Sequence, residues 1–165
     1  MNPEFETAAA HLQELSALLR LRNWRITAAE SCTGGLLSAL FTEQAGSSEW
    51  FQSSVVCYSN AAKTQLLDVP ETMLAQHGAV STQVACAMVS GVQILSNADV
   101  AVGITGIAGP GGGTETKPVG TVCIGWKIAA AKAEAEHFLF SGDRHAVRVA
   151  AVHAAVQGAL ERLHR

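Results

Sequence analysis

Aromatic rings and clustered positive charge are both scarce in this chain of 165 residues. Aromatic residues make up 5% of the sequence, and the formal net charge is −3. Proteins that bind nucleic acids usually combine a basic surface with aromatic rings that stack on bases. The basic residues here are dispersed along the chain, so the sequence predicts no nucleic-acid partner.

Long apolar runs are missing as well. No apolar segment reaches the roughly 20 residues that a membrane-spanning helix requires. The first residues, Met1 to Glu6, are acidic and lack the basic-then-apolar order of a signal peptide. We therefore expect no membrane partner and a cytoplasmic location.

Patterns that hold a metal ion are absent too. The four cysteines form no CxxC pair, and the six histidines show no HExxH spacing. Three of the cysteines lie in apolar or strand-like surroundings, and we interpret all four as reduced. The sequence therefore predicts neither a metal site nor a disulfide framework. The cysteines are Cys32, Cys57, Cys86 and Cys123.

The familiar phosphate-binding and serine-hydrolase motifs do not occur. The chain has no GxxxxGKS/T loop, no GxGxxG between a strand and a helix, no GxSxG elbow and no SxxK. Spacing alone shows no Ser-His-Asp triad. A function in nucleotide or acyl chemistry would need another arrangement of residues.

What is present is a pattern of helices alternating with strands. Hydrophobic residues make up 48% of the chain, enough for a packed core. An apolar strand at Asp99–Thr105 and a late pair, Val119–Ile128 and Ala135–Phe140, indicate a mixed sheet covered on both faces. We predict an α/β fold, a three-layer α/β/α sandwich around a mixed, mainly parallel sheet, as a single domain over residues 1–165.

Apolar periodicity and capping residues predict the remaining elements. Ser81 and Asp143 are expected to cap two long helices. The other expected elements are a helix Glu6–Arg22, a strand Arg25–Ala29, a helix from Thr33 to about Ala45, a strand Ser54–Ser59, a helix Ala61–Leu67 capped by Asn60, and a short helix from Pro70 to near Gly78.

The segment Ala29–Leu37, with the sequence AESCTGGLL, lies where a predicted strand passes into a predicted helix. Ligands of α/β proteins bind at such strand ends, and the N–H groups of a first helical turn attract negative charge. A purely structural turn needs only a cap and a glycine, whereas this one also carries two hydroxyls, a carboxylate and a thiol. We therefore predict a functional turn that contains Glu30, Ser31, Cys32, Thr33, Gly34 and Gly35.

A glycine-rich loop, Gly106–Thr114, directly follows the apolar strand that ends at Thr105. Glycines let the backbone approach a ligand closely, and the loop N–H groups can cradle an anion. The loop could also be a plain surface connection, but its place at a strand end favours binding.

Lys63 lies early in the short predicted helix Ala61–Leu67, which follows a second buried strand. A lysine at such a position is usually solvated. If the two strands are parallel neighbours, however, it lies near the functional turn, and burial would let it lose its proton and act as a base. From these residues alone, we predict only an α/β cleft that binds a nucleotide-sized or anionic ligand. The cleft offers hydroxyls and an amine for acyl chemistry.

Six segments together resemble the CinA C-terminal-domain family, whose members include bacterial nicotinamide mononucleotide deamidases. Their order and spacing agree from about Trp24 to Leu163. The segments are Ala29–Gly35, Tyr58–Asn60 with Lys63, His77–Ser81, Thr105–Gly112, Lys117–Val122 and Gly142–Arg144.

The resemblance implies hydrolysis of the carboxamide of nicotinamide mononucleotide to nicotinate mononucleotide and ammonia, in pyridine nucleotide salvage. It also implies that no metal or other cofactor is needed and that the protein is a homo-oligomer. Ser31 is then the favoured nucleophile, with neutral Lys63 as its base, Tyr58 relaying or orienting, and N–H groups near Thr33 and Gly34 holding the oxyanion. Ser48 remains a second candidate nucleophile.

The nucleotide substrate would be bound by the functional turn, by the glycine-rich loop and by two basic residues proposed for its phosphate. A rival reading is a non-catalytic nucleotide-binding or regulatory module that retains the pocket without turnover. Beyond the turn itself, the expected substrate-binding residues are Asn60, Thr105, Gly106, Ala108, Gly109, Gly111, Lys117 and Arg144.

Overall fold

The computed structural model describes residues 5–165, apart from the side chain of Thr7. The first four residues of the acidic segment Met1–Glu6 lie outside the described part. The described residues form six α-helices and five strands. In chain order these are α1 Glu6–Arg22, β1 Ile26–Glu30, α2 Leu36–Glu43, β2 Phe51–Val56, α3 Asn60–Leu67, α4 Glu71–His77, α5 Thr82–Ser96, β3 Val100–Gly106, β4 Thr121–Ile128, β5 Glu134–Leu139 and α6 Arg144–Leu163.

The strands form one sheet in the order β2-β1-β3-β4-β5. β1 pairs in parallel with β2 on one side and with β3 on the other. β4 runs antiparallel to β3, and β5 runs antiparallel to β4. Four strands therefore point the same way, which confirms the predicted mixed, mainly parallel sheet.

Helices cover both faces of the sheet, as the three-layer prediction requires. On one face α1, α2 and α6 bury side chains such as Leu15, Leu40 and Val152 against the strands. On the other face α3, α4 and α5 contribute a second cluster that includes Leu67 and Met88. Within residues 5–165, no helix is both long enough and apolar enough to cross a bilayer.

Several element boundaries differ from the sequence predictions. Helix α2 begins at Leu36 rather than Thr33, because Gly34 and Gly35 have positive φ angles of 58° and 98° that interrupt a helix. Strand β2 ends at Val56, where its pairing with β1 stops. The cap of α3 is Ser59 rather than Asn60, since the Ser59 hydroxyl accepts from the N–H of Ala62.

Candidate active site

A cleft of about 270 Å³ lies beyond the carboxyl ends of β1 and β3. The chain leaves β1 over one face of the sheet through α2 and reaches β3 from β2 over the other face through α5. The end of β1 is thus a switch point, the usual ligand site of open α/β sheets. The cleft is lined by Ser31, Cys32, Tyr58, Asn60, Lys63, Ala79, Val80, Thr105, Gly106, Ile107, Ala108, Gly109, Gly111, Gly112 and Arg144.

Ser31 and Lys63 meet at the floor of this cleft. The Lys63 Nζ lies 3.0 Å from the Ser31 Oγ, although 32 positions separate the residues in sequence. Ser31 follows β1 directly and its N–H donates to the carbonyl of Ile104 on β3. Lys63 projects from the first turn of α3. Parallel pairing of β1 with β2 therefore brings the hydroxyl and the amine together.

The Lys63 side chain is almost completely buried, with 1% of its surface exposed. Burial lowers the pKa of its ammonium group below the ordinary value of 10.5, because desolvation disfavours the charged form. Nζ also donates to the carbonyls of Cys57 at 3.0 Å and Tyr58 at 3.1 Å. As an ammonium group, Nζ donates to the Ser31 hydroxyl oxygen and to the two carbonyls. Once it loses the proton directed at Ser31, the carbonyls hold the remaining two N–H groups and the lone pair faces the Ser31 hydroxyl.

Glu30 is a predicted substrate-binding residue that does not line the cleft in the structure. Its carboxylate is fully buried and does not line the cavity. One oxygen accepts from the N–H groups of Gly35 and Leu37, and the other from the N–H and hydroxyl of Ser38. The N-terminus of α2 is therefore occupied by a side chain of the protein itself. This corrects the expectation that it attracts the substrate's negative charge.

The rest of the turn after Cys32 also lies outside the cleft lining. Thr33 is fully buried, and its carbonyl accepts from Arg148 Nη2 at 2.8 Å. The N–H of Gly34 donates to the carbonyl of Ser31 at 3.1 Å, which makes it unavailable to an oxyanion. Thr33, Gly34 and Gly35 thus shape the backbone behind Ser31, and the structure gives no contact from them to the cleft.

Ser48 lies near the amino end of β2, whereas the cleft lies beyond the carboxyl ends of the parallel strands. It belongs to a short 3₁₀-helix, Ser47–Glu49, that precedes β2 and is solvent-exposed. The whole of β2 separates it from Tyr58, which lines the cleft. Of the two candidate nucleophiles, Ser31 lines the cleft and Ser48 does not.

Tyr58 contributes to the site both through its backbone carbonyl and through its side chain. Its backbone carbonyl is shared by Lys63 Nζ and by the Ser31 hydroxyl, at 3.1 and 3.4 Å. Its ring lines the cleft, and its phenolic oxygen accepts from Arg144 Nη2 at 3.4 Å. Among the residues described, the hydrogen bond given for the phenol is the one from Arg144, and its effect on Lys63 is electrostatic.

The two predicted phosphate ligands have different positions. Arg144 lines the cleft at the start of α6 and donates to the carbonyl of Gly109 at 2.8 Å. Lys117 lies outside the lining and donates to the carbonyl of His77 at 2.7 Å, which fastens the segment just after the glycine-rich loop to the end of α4. Of these two residues, only Arg144 lines the cleft.

The other predicted binding residues, Asn60, Thr105, Gly106, Ala108, Gly109 and Gly111, all line the cleft. Sequence reasoning missed four further lining residues. Ile107 and Gly112 belong to the glycine-rich loop. Ala79 and Val80 belong to the His77–Ser81 segment. That segment is one of the six that carry the family resemblance, and this was the signal that could have identified them as site residues.

Cys32 shares the cleft with Ser31, and burial raises the pKa of its thiol to about 11. A thiol with such a pKa carries almost no thiolate at neutral pH, so it is a poor competing nucleophile. All four cysteines are free. Within the described part of the chain, no group of three His, Cys, Asp or Glu side chains could hold a metal ion.

Comparison with known proteins identifies sequences and structures that are similar to this chain. The family described as the CinA C-terminal domain matches residues 8–163. Nicotinamide-nucleotide amidohydrolase PncC from Enterobacter agglomerans is 50% identical over 147 residues, covering 89% of this chain and 90% of that protein. The protein of the same name from Escherichia coli (strain K12) is 47% identical over 145 residues, 88% of each chain.

Longer relatives and solved structures agree with this match. A CinA-like protein from Mycobacterium sp. (strain JLS) is 55% identical over 123 residues, which cover 74% of this chain but 29% of that protein. The crystal structure of the competence damage-inducible protein A (ComA) from Klebsiella pneumoniae has a TM-score of 0.92 and 37% identity, covering 96% of this chain and 98% of that one.

Proposed function

The chain belongs to the CinA C-terminal domain family, and from that membership we propose that it hydrolyses the carboxamide of nicotinamide mononucleotide in pyridine nucleotide salvage. The products are nicotinate mononucleotide and ammonia. Relatives of nearly the same length bear the name nicotinamide-nucleotide amidohydrolase. The observation that carries the proposal is the 3.0 Å contact between the Ser31 hydroxyl and the buried amine of Lys63.

In the first half of the proposed reaction, Ser31 Oγ attacks the carboxamide carbon while neutral Lys63 accepts the hydroxyl proton. The lowered pKa of Lys63 makes the neutral amine more accessible than it is on a solvated lysine. The N–H of Cys32, whose partner in the structure is its own thiol, belongs to a residue of the cleft lining and is the oxyanion donor that we propose in place of Gly34. Lys63 then protonates the departing nitrogen, so ammonia leaves and an ester remains on Ser31.

In the second half, Lys63 is neutral again and removes a proton from a water molecule that attacks the ester. Collapse of the intermediate returns the proton to Ser31 Oγ and releases the carboxylate product. Each half uses the same amine first as base and then as acid, so no further titrating group is required. A metal and other cofactors have no step to perform in this scheme.

Substrate binding is proposed to rest on Arg144 and the glycine-rich loop. Arg144 presents a permanent positive charge at the cleft and can form a bidentate contact with phosphate. Gly109 lies against it through the carbonyl contact at 2.8 Å. The loop and Arg144 therefore line one part of the cleft, and the Ser31–Lys63 pair lines another.

We also propose that the chain acts as one domain in the cytoplasm, as a homo-oligomer and without a nucleic-acid partner. The oligomer follows from the family resemblance, and exposed apolar side chains on α5, Ile94 and Leu95, offer surface for a second copy. Light scattering on the purified protein measures the oligomer directly, and a monomer at all concentrations would contradict this part of the proposal.

Ammonia release from nicotinamide mononucleotide by the purified protein tests the proposed activity. We expect turnover in the wild type and its loss in Ser31→Ala with the fold retained by circular dichroism. Binding of the nucleotide without ammonia release would instead favour a non-catalytic nucleotide-binding or regulatory module. Nothing in the arrangement of Ser31 and Lys63 favours that alternative.

A further inference from the structure

The residues Ser31–Gly35, here called the nucleophile turn, join β1 to α2. Its two glycines have left-handed φ angles, and Gly35, the N-cap residue of α2, has no side chain with which to cap the helix. Glycine-containing turns have high conformational entropy when unrestrained. The position of Ser31 Oγ therefore depends on what holds this turn.

From the sheet side, Glu30 holds the turn. Its carboxylate spans the nucleophile turn and accepts from Gly35, Leu37 and Ser38 N–H at 3.0, 3.1 and 2.9 Å, and from the Ser38 hydroxyl at 2.6 Å. Charge-assisted bonds to a helix N-terminus are among the stronger hydrogen bonds in proteins. The residue directly before the nucleophile thus caps the helix that follows it.

From the helical side, Arg148 on α6 holds the same turn. Its Nη2 donates to the carbonyl of Thr33 at 2.8 Å, and the next peptide N–H, that of Gly34, donates to the carbonyl of Ser31. Hydrogen bonds on the two ends of one peptide unit strengthen each other. Arg148 is therefore linked to Ser31 through one peptide group, without touching the cleft.

Arg144 and Arg148 lie four residues apart on α6, so they project from the same side of the helix. Arg144 reaches the cleft wall, and Arg148 reaches the back of the nucleophile turn. Arg144 is thus proposed to contact the substrate, and Arg148 to support the turn that carries the nucleophile.

We propose that Glu30 and Arg148 are positioning residues that clamp the nucleophile turn from two sides and keep Ser31 Oγ in line with Lys63 Nζ. This inference rests on the proposed function, in which Ser31 is the nucleophile. A misplacement of about 1 Å at a reacting group can cost roughly 100-fold in rate. Loss of either clamp residue is therefore expected to lower kcat while leaving KM nearly unchanged.

The test compares Arg148→Met, Arg148→Lys and Glu30→Gln with the control Arg162→Met. Arg162 is a buried arginine on the same helix that pairs with Glu134 and Glu136 and contacts neither the turn nor the cleft. For each variant, kcat, KM, the pH profile of kcat/KM and Tm are measured. Hydrogen exchange of residues 31–38 is followed by mass spectrometry as a readout that does not need activity.

We expect Arg148→Met and Glu30→Gln to lower kcat by about 10-fold or more, with KM within about twofold of wild type. The pH midpoint stays in place, exchange in residues 31–38 becomes faster, and Arg148→Lys recovers part of kcat. Arg162→Met lowers Tm but keeps the wild-type kcat and the wild-type exchange in residues 31–38.

Three results would overturn the clamp. They are a loss of Tm with unchanged kcat, a raised KM with unchanged kcat, and a shifted pH midpoint, which would indicate that Arg148 acts through its charge. If Arg148→Met does not fold, Arg148→Lys and Glu30→Gln decide by the same criteria. If the wild type releases no ammonia, the proposed function fails, while exchange in residues 31–38 still decides whether the clamp exists.

Discussion

Lys63 shows at the scale of one residue how burial creates reactivity. A fully solvated lysine stays protonated at neutral pH and cannot accept a proton. Here the side chain is buried, and desolvation lowers its pKa. The carbonyls of Cys57 and Tyr58 hold its N–H groups so that the remaining direction faces Ser31.

The lowered pKa of Lys63 predicts a defined pH dependence. Because only the neutral amine accepts the Ser31 proton, kcat/KM should rise with pH through a midpoint below 10.5. Between the lowered folded pKa and the unfolded value, the unfolded chain binds more protons, so this residue makes the protein more stable as pH rises. Melting curves across pH should show that trend in the wild type and lose it in Lys63→Met. A midpoint at or above the ordinary lysine value would contradict the assignment.

The contact between Ser31 and Lys63 predicts strongly non-additive mutations. If the two side chains act as one unit, Ser31→Ala, Lys63→Ala and the double variant should lose similar activity, each by about 1,000-fold or more. Single-turnover assays on folded variants check this. Losses that multiply in the double variant would show instead that Lys63 acts independently, as an electrostatic clamp on the substrate.

Ser48 provides a matched hydroxyl control. It is exposed before the start of β2, away from the cleft. Ser48→Ala should therefore keep activity within about twofold of wild type and barely change Tm. Steady-state kinetics on nicotinamide mononucleotide measure this. An inactive Ser48→Ala beside an active Ser31→Ala would reassign the nucleophile.

At the scale of an element, the glycine-rich loop combines positions that need glycine with positions that do not. Gly109 has φ +86°, and a Cβ there would lie 2.5 Å from Val119 Cγ1. Gly111 has open space around its Cα and no positive φ. Contacts from Lys117 to His77 and from Arg144 to Gly109 tie the loop to two helices.

This difference predicts unequal effects of the same substitution. Gly109→Ala should displace the loop beside Arg144 and raise KM by about 10-fold, because the backbone conformation and the contact with Val119 both oppose a Cβ. Gly111→Ala should leave KM within about twofold of wild type. Initial-rate kinetics on both variants measure the difference, and equal KM values would show that loop geometry does not govern binding.

At the scale of the whole molecule, topology assembles the site. The cleft collects residues from β3, α3 and α6 and from the four connections that follow β1, β2, α4 and β3, around the switch point at the end of β1. Their relative positions are set by the two hydrophobic clusters that hold helices on both faces of the sheet. Catalysis is thus proposed to depend on the packed domain and on its own side chains alone.

Metal independence is the prediction at this scale. Since the proposed steps use only Ser31 and Lys63, dialysis against a strong chelator should leave the rate of ammonia release and the Tm unchanged. Loss of activity that a divalent ion restores would refute the mechanism, because a catalytic metal would then supply the nucleophile or hold the oxyanion.

The sequence by itself determined the α/β class, the sheet type and the segments that meet at the site, because apolar periodicity, glycine positions and capping residues are local signals. It also pointed to Ser31 and Lys63 once the family resemblance was recognised. For Glu30, an acid at the end of a buried strand, it left open whether backbone N–H groups or Lys63 would be the partner. It could not show that Lys117 contacts His77 or that Arg148 supports the turn. Only the tertiary structure decided these roles, since each depends on the partner that folding brings within hydrogen-bond distance, and partners remote in sequence leave no local pattern.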